Sequence, residues 1–187
     1  MEHVSTKGTV KTMEMRRQYL TSIGILVVVV VLAITFHARK VSALPVVGHT
    51  PPIFTLTNFQ GQAMSIAQTS GKPMYINFFA SWCPPCQLEA PDLEKMYTKY
   101  RGQIQFYGVD MTSSDSVAGA QHFVKEFGLQ YPVLLDKKGD VSKLYNVAYL
   151  PTSFFVNSQG VIVYKTVGYM TLQTMQKQFA AIAGSAR

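Results

Sequence analysis

The sequence predicts an α/β domain with a mixed, mostly parallel central sheet that helices cover on both faces, preceded by one transmembrane helix. From residue 53 onwards, short apolar strand patterns alternate with longer patterns of helical spacing, as in folds whose parallel strands are joined by helices. Two late strand patterns flank the turn Asn157–Gly160, which predicts an added antiparallel hairpin. The segment Tyr19–Phe36 holds eighteen residues without a charge, close to the shortest length that can span a bilayer.

The first half of the domain is predicted to be two short strands, a buried strand and a long helix. Residues 53–57 alternate between apolar and polar side chains, and a turn at Asn58–Gly61 lets residues 62–66 return beside them. Tyr75–Ala80 is a short apolar run, which predicts a buried strand. A helix that starts at Cys83 and ends before Gly102 carries apolar side chains at helical spacing: Leu88, Leu93, Met96, Tyr97 and Tyr100.

The second half continues the alternation of strands and helices. Ser113–Ser116 offers N-caps to a helix that begins at residue 117 and stops at Gly128. Thr171 caps the last helix, whose apolar face carries Leu172, Met175, Phe179 and Ile182. The other predicted elements are a buried strand over 104–109, a short strand over 132–135, a short helix over 141–145, and the hairpin strands 152–156 and 161–167.

The N-terminal segment predicts the position of the domain relative to a membrane. Four Lys/Arg residues precede Tyr19–Phe36 and two follow it, a bias that favours a cytoplasmic N-terminus and an extracytoplasmic domain. We therefore expect a single-pass protein of the cell membrane. Its predicted parts are a cytoplasmic tail (1–18), an uncleaved signal-anchor (19–36), a linker (37–47) and one folded domain (48–187).

A cleavable signal peptide is the alternative for this segment. Val41–Ala43 has the small residues of a cleavage site, and Arg16-Arg17 resembles a twin-arginine export signal. The apolar stretch is longer than the roughly 7–15 residues typical of a signal peptide, and charges separate it from the cleavage site. Both alternatives place the domain outside the cytoplasmic membrane.

Charge and composition give no indication of a nucleic-acid partner. The net charge is +7, but residues 1–40 contribute +4 of it and residues 41–187 only +3. The domain has no run of Lys/Arg and no ladder of aromatic residues, which are the usual marks of a nucleic-acid surface.

The two cysteines form a single C-x-x-C at the predicted strand-to-helix junction. Zinc would need two further ligands, and the chain has no second C-x-x-C and only scattered histidines. A purely structural disulfide would close too short a loop to stabilise the fold much. A redox dithiol remains, because a helix N-terminus lowers a thiol pKa and favours the thiolate. We expect Cys83 to attack and Cys86 to resolve, with no metal and no cofactor beyond their disulfide.

The motif Trp82-Cys-Pro-Pro-Cys86 after an apolar strand, with Leu150-Pro151-Thr152 before another strand, resembles the thioredoxin superfamily. More closely it is similar to the membrane-anchored TlpA/ResA-type thiol-disulfide oxidoreductases, within the redoxin (AhpC-TSA) superfamily. The resemblance covers roughly residues 48–184. It implies a thioredoxin-like three-layer α/β/α sandwich with a mixed central sheet.

The resemblance also implies roles for single residues. It implies that Pro151 is a cis proline facing the disulfide; the alternative is an ordinary trans proline. It implies that Glu89 is an acid that transfers protons or tunes the pKa of the thiols; the alternative is a first-turn Glu that stabilises the helix. Trp82 is expected to shield the reactive sulfur, or else to lie at the edge of the core. Trp82, Pro84 and Leu150 are expected to lie beside the substrate. Asn77 is a departure, because it stands where thioredoxins carry a buried acid, and it is expected to support the site near Cys86.

The predicted function is reduction of protein disulfides outside the membrane. The resemblance implies apocytochrome c, before haem attachment at its C-x-x-C-H site, or a cell-envelope or spore protein as substrate. A membrane thiol-reducing electron donor would keep the protein, expected to be a monomer, in its reduced state. Two alternatives stay open: a peroxiredoxin-like thiol peroxidase with antioxidant activity, and a non-catalytic anchored binding module.

Overall fold

The structure is a computed structural model that describes residue 20 and residues 22–30, 45–66 and 71–185. The chain divides into two units, Met1–Ser42 and Ala43–Arg187, and every element labelled here belongs to the second. In chain order these elements are β1 (Thr55–Thr57), β2 (Ala63–Ser65), β3 (Met74–Phe79), α1 (Pro84–Tyr100), β4 (Gln105–Asp110), α2 (Val117–Glu126), β5 (Val133–Leu135), α3 (Asp140–Leu144), β6 (Thr152–Val156), β7 (Ile162–Val167) and α4 (Leu172–Gly184).

The predicted membrane anchor is covered only in part. Residues 20 and 22–30 are helical. Within the described residues, none of the helices has both the length and the apolar character needed to cross a bilayer. The rest of the predicted anchor 19–36, the predicted tail 1–18 and most of the linker 37–47 lie outside the described residues.

The strands form one mixed sheet in the order β2-β1-β5-β4-β3-β6-β7. Among the strands of the described residues, only the pairs β3–β4 and β4–β5 are parallel. The prediction of a mostly parallel sheet is therefore wrong, because β1 pairs antiparallel with both β2 and β5, and β6 with both β3 and β7. Short turns join β1 to β2 and β6 to β7, and a short turn can connect only antiparallel neighbours.

Strand β3 divides the core into two layers because its side chains alternate between the faces of the sheet. Tyr75 and Phe79 pack in the layer that contains α1, α4 and Phe123 of α2. Ile76 and Phe78 pack in the opposite layer, which the short helix α3 covers. Helices thus lie on both faces, as the three-layer prediction requires, although one face carries most of the helical residues.

An aromatic cluster packs α4 and the C-terminal end of α1 against the first face of the sheet. The ring of Phe179 stacks on Phe106 at 5.1 Å and contacts the rings of Tyr75 and Phe155 at 4.8 and 4.9 Å. All four residues are nearly or fully buried. Tyr100, the last residue of α1, stacks on Phe179 at 6.0 Å, so the same cluster holds the C-terminal end of α1.

The segment that leads into the domain is fastened to the sheet by hydrogen bonds. Gly48 donates its N–H to the carbonyl of Ile162, and the N–H of Ile162 donates to the carbonyl of His49. The buried Tyr145 hydroxyl donates to the Pro52 carbonyl over 2.7 Å.

We expect Tyr145→Phe to lower the free energy of unfolding by about 1–2 kcal/mol, because it leaves the Pro52 carbonyl without its donor. Chemical denaturation of the variant and of Tyr164→Phe measures this. The Tyr164 ring packs on Phe155, but its hydroxyl makes no hydrogen bond to the described residues. Equal stability of the two variants would show that the Tyr145 hydrogen bond contributes nothing.

Candidate active site

The cysteine pair lies where β3 gives way to α1. Cys83 is the N-cap of α1, and its sulfur accepts the N–H of Cys86 over 3.3 Å. Cys83 and Cys86 form a disulfide, with their Cα atoms 5.3 Å apart. Pro84 and Pro85 occupy the first two helical positions, where a missing N–H costs no helical hydrogen bond. The free backbone N–H groups and the dipole of the helix start favour a thiolate at Cys83 once the disulfide is reduced.

The two cysteines differ in access rather than in overall burial. Cys83 is 3% exposed and Cys86 is 2% exposed, so both residues are buried to the same degree. Cys83 lines an open cavity of about 410 Å³, whereas Cys86 is absent from its lining. An incoming sulfur atom can therefore approach Cys83 but not Cys86.

Three residues predicted beside the substrate do line this cavity: Trp82, Pro84 and Leu150. Trp82 is 57% exposed, so it is not an aromatic residue at the core edge. Its indole N–H donates to the Ser114 carbonyl over 2.9 Å, which holds the ring beside Cys83. Tyr149, also exposed, contributes a second aromatic side chain to the lining.

The Leu150–Pro151 peptide bond is cis, as the resemblance implies. Pro151 itself is buried and is absent from the cavity lining. Its carbonyl accepts the N–H of Gly168 over 2.7 Å. Leu150, by contrast, has no backbone hydrogen bond to the described residues. The residue that offers free backbone groups to a substrate is therefore Leu150.

Glu89 lies on α1, three residues after Cys86, and is only 1% exposed. Its carboxylate accepts hydrogen bonds from the Asn77 side-chain amide and the Met170 N–H, both over 3.2 Å. Burial raises the pKa of Glu89 to about 7, although the hydrogen bonds from Met170 and Asn77 act in the opposite direction. This carboxyl group can therefore gain and lose a proton near neutral pH.

Asn77 connects Glu89 to the interior of the sheet. Its amide also donates to the Ser153 hydroxyl over 2.9 Å, and that hydroxyl shares a hydrogen bond of 2.9 Å with Tyr75. Asn77, which stands where thioredoxins carry a buried acid, therefore fixes the position of the Glu89 carboxylate. The prediction placed Asn77 near Cys86, and the structure identifies Glu89 and Ser153 as its partners.

The contact that holds the turn before Cys83 was not predicted from the sequence. The Asp115 carboxylate accepts the Ser81 N–H over 2.5 Å and the Ser81 hydroxyl over 2.8 Å. Burial works to raise the pKa of Asp115, but its hydrogen bonds, those from Ser81 foremost, bring the pKa below its usual range. Asp115 was included only in a predicted capping segment, in which the actual cap is Ser116. A contact between residues 34 positions apart leaves no local signal.

A second missed residue is Asp110, at the end of β4, which is fully buried. One carboxyl oxygen accepts the Thr112 hydroxyl over 2.6 Å, and no donor among the described residues reaches the other. Burial is the main cause that raises the pKa of Asp110 to about 8, and the negative charge of Asp115 adds to the effect. The carboxyl group is therefore mostly neutral at pH 7. The neutral acid can donate its proton to Asp115, which in turn holds Ser81.

The described part of the chain contains no group of three or more His, Cys, Asp or Glu residues able to hold a metal ion. The chemistry available at this site comes from its disulfide and the buried acid beside it. A disulfide at a helix N-terminus, opening onto a cavity beside a cis proline, defines a thioredoxin-like thiol-disulfide oxidoreductase.

Comparison with known proteins agrees with this class. Residues 47–165 match the AhpC/TSA family. The chain is 30% identical to the thiol-disulfide oxidoreductase ResA of Halalkalibacterium halodurans, over 88% of this chain and 95% of that protein. It is 34% identical to the thioredoxin-like protein YneN of Bacillus subtilis, over 70% and 77% of the two chains. A putative thiol:disulfide interchange protein DsbE from Chlorobium tepidum superposes with a TM-score of 0.68 at 27% identity, over 74% and 99%.

The chain therefore belongs to the AhpC/TSA family and, within it, to the TlpA/ResA-type thiol-disulfide oxidoreductases. This confirms the family resemblance and the thioredoxin-like fold read from the Trp82–Cys86 motif.

Proposed function

We propose that the protein is a membrane-anchored, extracytoplasmic reductant of protein disulfides. The observation that carries the proposal is the position of Cys83, which is half of a disulfide at a helix N-terminus and lines an open cavity beside Leu150. A substrate segment in this cavity can bond to the free backbone groups of Leu150 while it presents its own disulfide to Cys83.

The reaction follows from the order in which the sulfurs can be reached. In the reduced protein the Cys83 thiolate attacks one sulfur of the substrate disulfide, and the other substrate sulfur leaves as a thiolate and takes up a proton. Cys86 then loses its proton and attacks Cys83, which releases the second substrate thiol and forms the Cys83–Cys86 disulfide. Two electrons pass to the substrate, and a membrane dithiol donor returns the protein to the reduced state.

Glu89 is the proposed acceptor of the Cys86 proton. It follows Cys86 by three residues on α1, a spacing that puts the two side chains on the same helix face. A carboxyl group with a pKa of about 7 is well matched to accept this proton at neutral pH and to return it later. Asn77 and the Met170 N–H hold the carboxylate in place for the transfer.

Apocytochrome c with an oxidised C-x-x-C-H site is the first proposed substrate, and a cell-envelope or spore protein is the second. Support for both comes from the likeness to ResA proteins. Support for the proposed anchor comes from the uncharged segment Tyr19–Phe36 and from the excess of Lys/Arg on its N-terminal side. Protease treatment of intact spheroplasts tests the orientation, since a domain protected from the protease would contradict it.

Trapping the substrate tests the function directly. In the full-length Cys86→Ala variant, the mixed disulfide at Cys83 cannot be resolved and should accumulate. We expect adducts that run as larger species on non-reducing gels and release extracytoplasmic proteins with paired cysteines when dithiothreitol is added.

The double variant Cys83→Ala/Cys86→Ala is the matched control and should capture nothing. Equal capture by the control would show that the adducts are not formed at the active site. A reduction potential well above that of the captured disulfides would overturn the direction of electron flow, leaving an oxidant in place of a reductant.

A further inference from the structure

The cavity beside Cys83 continues into a second one. The second cavity, of about 420 Å³, shares Met111 and Val147 with the first, so the two are adjacent and are together called the cleft here. Leaving Cys83, the lining changes from Trp82, Tyr149 and other apolar side chains to lysine, serine and asparagine. The far part of the cleft, lined by Lys138 and Lys143 together with Ser113 and Asn146, is called the basic shelf here.

The basic shelf carries two exposed positive charges. Lys138 and Lys143 are exposed, and neither has an ion pair with any described residue. Of the described residues that line either cavity, none is Asp or Glu. Two acids lie nearby in sequence. Asp136 is buried, and its carboxylate accepts the N–H groups of Val141 and Ser142. Asp140, at the start of α3, is exposed, but it lies outside the lining of both cavities and makes no ion pair with either lysine. A substrate entering the cleft therefore meets apolar surface near Cys83 and two unpaired positive charges farther along.

We propose that the cleft binds an extended segment of the substrate polypeptide that carries acidic side chains a few residues from its reactive cysteine. This inference rests on the proposed reductase function and adds a substrate preference to it. An apolar side chain next to the substrate cysteine packs against Trp82 and Tyr149. The acidic side chains of the segment meet Lys138 and Lys143, which are complementary in charge and lie in the cavity adjacent to that of Cys83.

The expected preference is modest and depends on salt. Pairs between exposed charges contribute little each, so two lysines together give roughly a three- to tenfold preference in kcat/KM for an acidic segment. The preference resides mainly in KM, because the lysines act on binding and encounter rather than on the sulfur chemistry. It should nearly vanish at about 0.5 M salt, where the screening length is only a few ångströms.

The test uses the full-length protein and disulfide-linked peptide dimers that differ only in two Glu or two Gln residues near the cysteine. Each kcat/KM value is divided by that for bis(2-hydroxyethyl) disulfide, a small uncharged substrate that reports on the chemistry alone. We expect wild-type protein to prefer the Glu peptide three- to tenfold, Lys138→Gln/Lys143→Gln to lose the preference, and Lys138→Glu/Lys143→Glu to reverse it.

Lys125→Glu/Lys177→Glu is the matched control, because it changes the net charge equally at two exposed lysines outside the cleft. It should keep the preference. A preference that is absent in wild type, or that the control removes as fully as the shelf variants do, overturns the inference and leaves the reductase function standing. If wild-type protein reduced neither the Glu peptide, nor the Gln peptide, nor bis(2-hydroxyethyl) disulfide, the reductase function would be overturned, and the inference with it.

Discussion

Cys83→Ser is expected to abolish disulfide reduction, with a loss of at least about 10³-fold in turnover. A serine hydroxyl is not ionised at neutral pH and cannot form the mixed disulfide. The fold should survive the change, because serine is among the preferred N-cap residues and can accept the N–H of residue 86 as the sulfur does. Turnover of a peptide disulfide with dithiothreitol as the electron source measures the effect, and thermal unfolding checks the fold.

Cys86→Ser is the matched control for this prediction. It also removes the disulfide, but it keeps the attacking sulfur, so the reduced variant should form one mixed disulfide per molecule and then stop when no dithiothreitol is present. Turnover that persists in Cys83→Ser would show that Cys83 is not the nucleophile. The same variants examine the peroxidase alternative: peroxide consumption by wild type that disappears in Cys83→Ser would favour it, and the absence of consumption would remove it.

Features with a local cause could be read from the sequence. Strand β6 lies over the predicted residues 152–156, and Ser116 and Thr171 cap helices in the segments where caps are predicted. Helix α1 begins one residue after the predicted start because Cys83 serves as its cap. Turn residues, caps and apolar periodicity act over a few neighbours, so the chain displays them directly.

Features that depend on distant pairing could not be read in this way. Nothing in the residues of β6 shows that it runs antiparallel to β3, because strand direction depends on how the connections pass around the sheet. The bonds from Ser81 to Asp115, and the burial of Asp110, depend on a loop that folds back over the ends of β3 and β4. The basic shelf likewise joins the Cys83 cavity only because α3 lies beside Met111 and Val147.

Glu89 provides the second large expected effect, which begins with stability. The pKa of its carboxyl is about 7 in the folded protein against 4.5 for an ordinary glutamate, so the folded state binds this proton more tightly than the unfolded state. The stabilisation is complete below pH 4.5 and is lost as the pH rises through 7. This difference in pKa corresponds to a loss of roughly 3 kcal/mol in the free energy of unfolding between pH 4.5 and pH 8. Asp110, with a pKa of about 8, contributes in the same direction.

We expect Glu89→Gln to be more stable than wild type at pH 8, by up to about 3 kcal/mol, and of similar stability at pH 4.5. Glutamine stays neutral, so it avoids the cost of ionising a buried group. Both oxygens of Glu89 accept hydrogen bonds, so the NH2 group of the introduced glutamine faces another donor. The gain in stability is largest if the Asn77 side chain rotates by 180° and presents its oxygen to that NH2 group. Urea denaturation from pH 4.5 to 8.5 measures the difference.

Turnover should change in the opposite direction, and this separates a role in proton transfer from a purely structural one. Without an acceptor for the Cys86 proton, Glu89→Gln should turn over roughly 10²-fold more slowly near pH 7.5, and its rate should no longer rise through a group with a pKa near 7. Asp110→Asn is the control, because it also replaces a buried acid but leaves Glu89 in place. It should alter the pH dependence of stability and keep the wild-type pH profile of turnover. A Glu89→Gln variant with the wild-type turnover profile would confine Glu89 to a structural role and require another acceptor for the Cys86 proton.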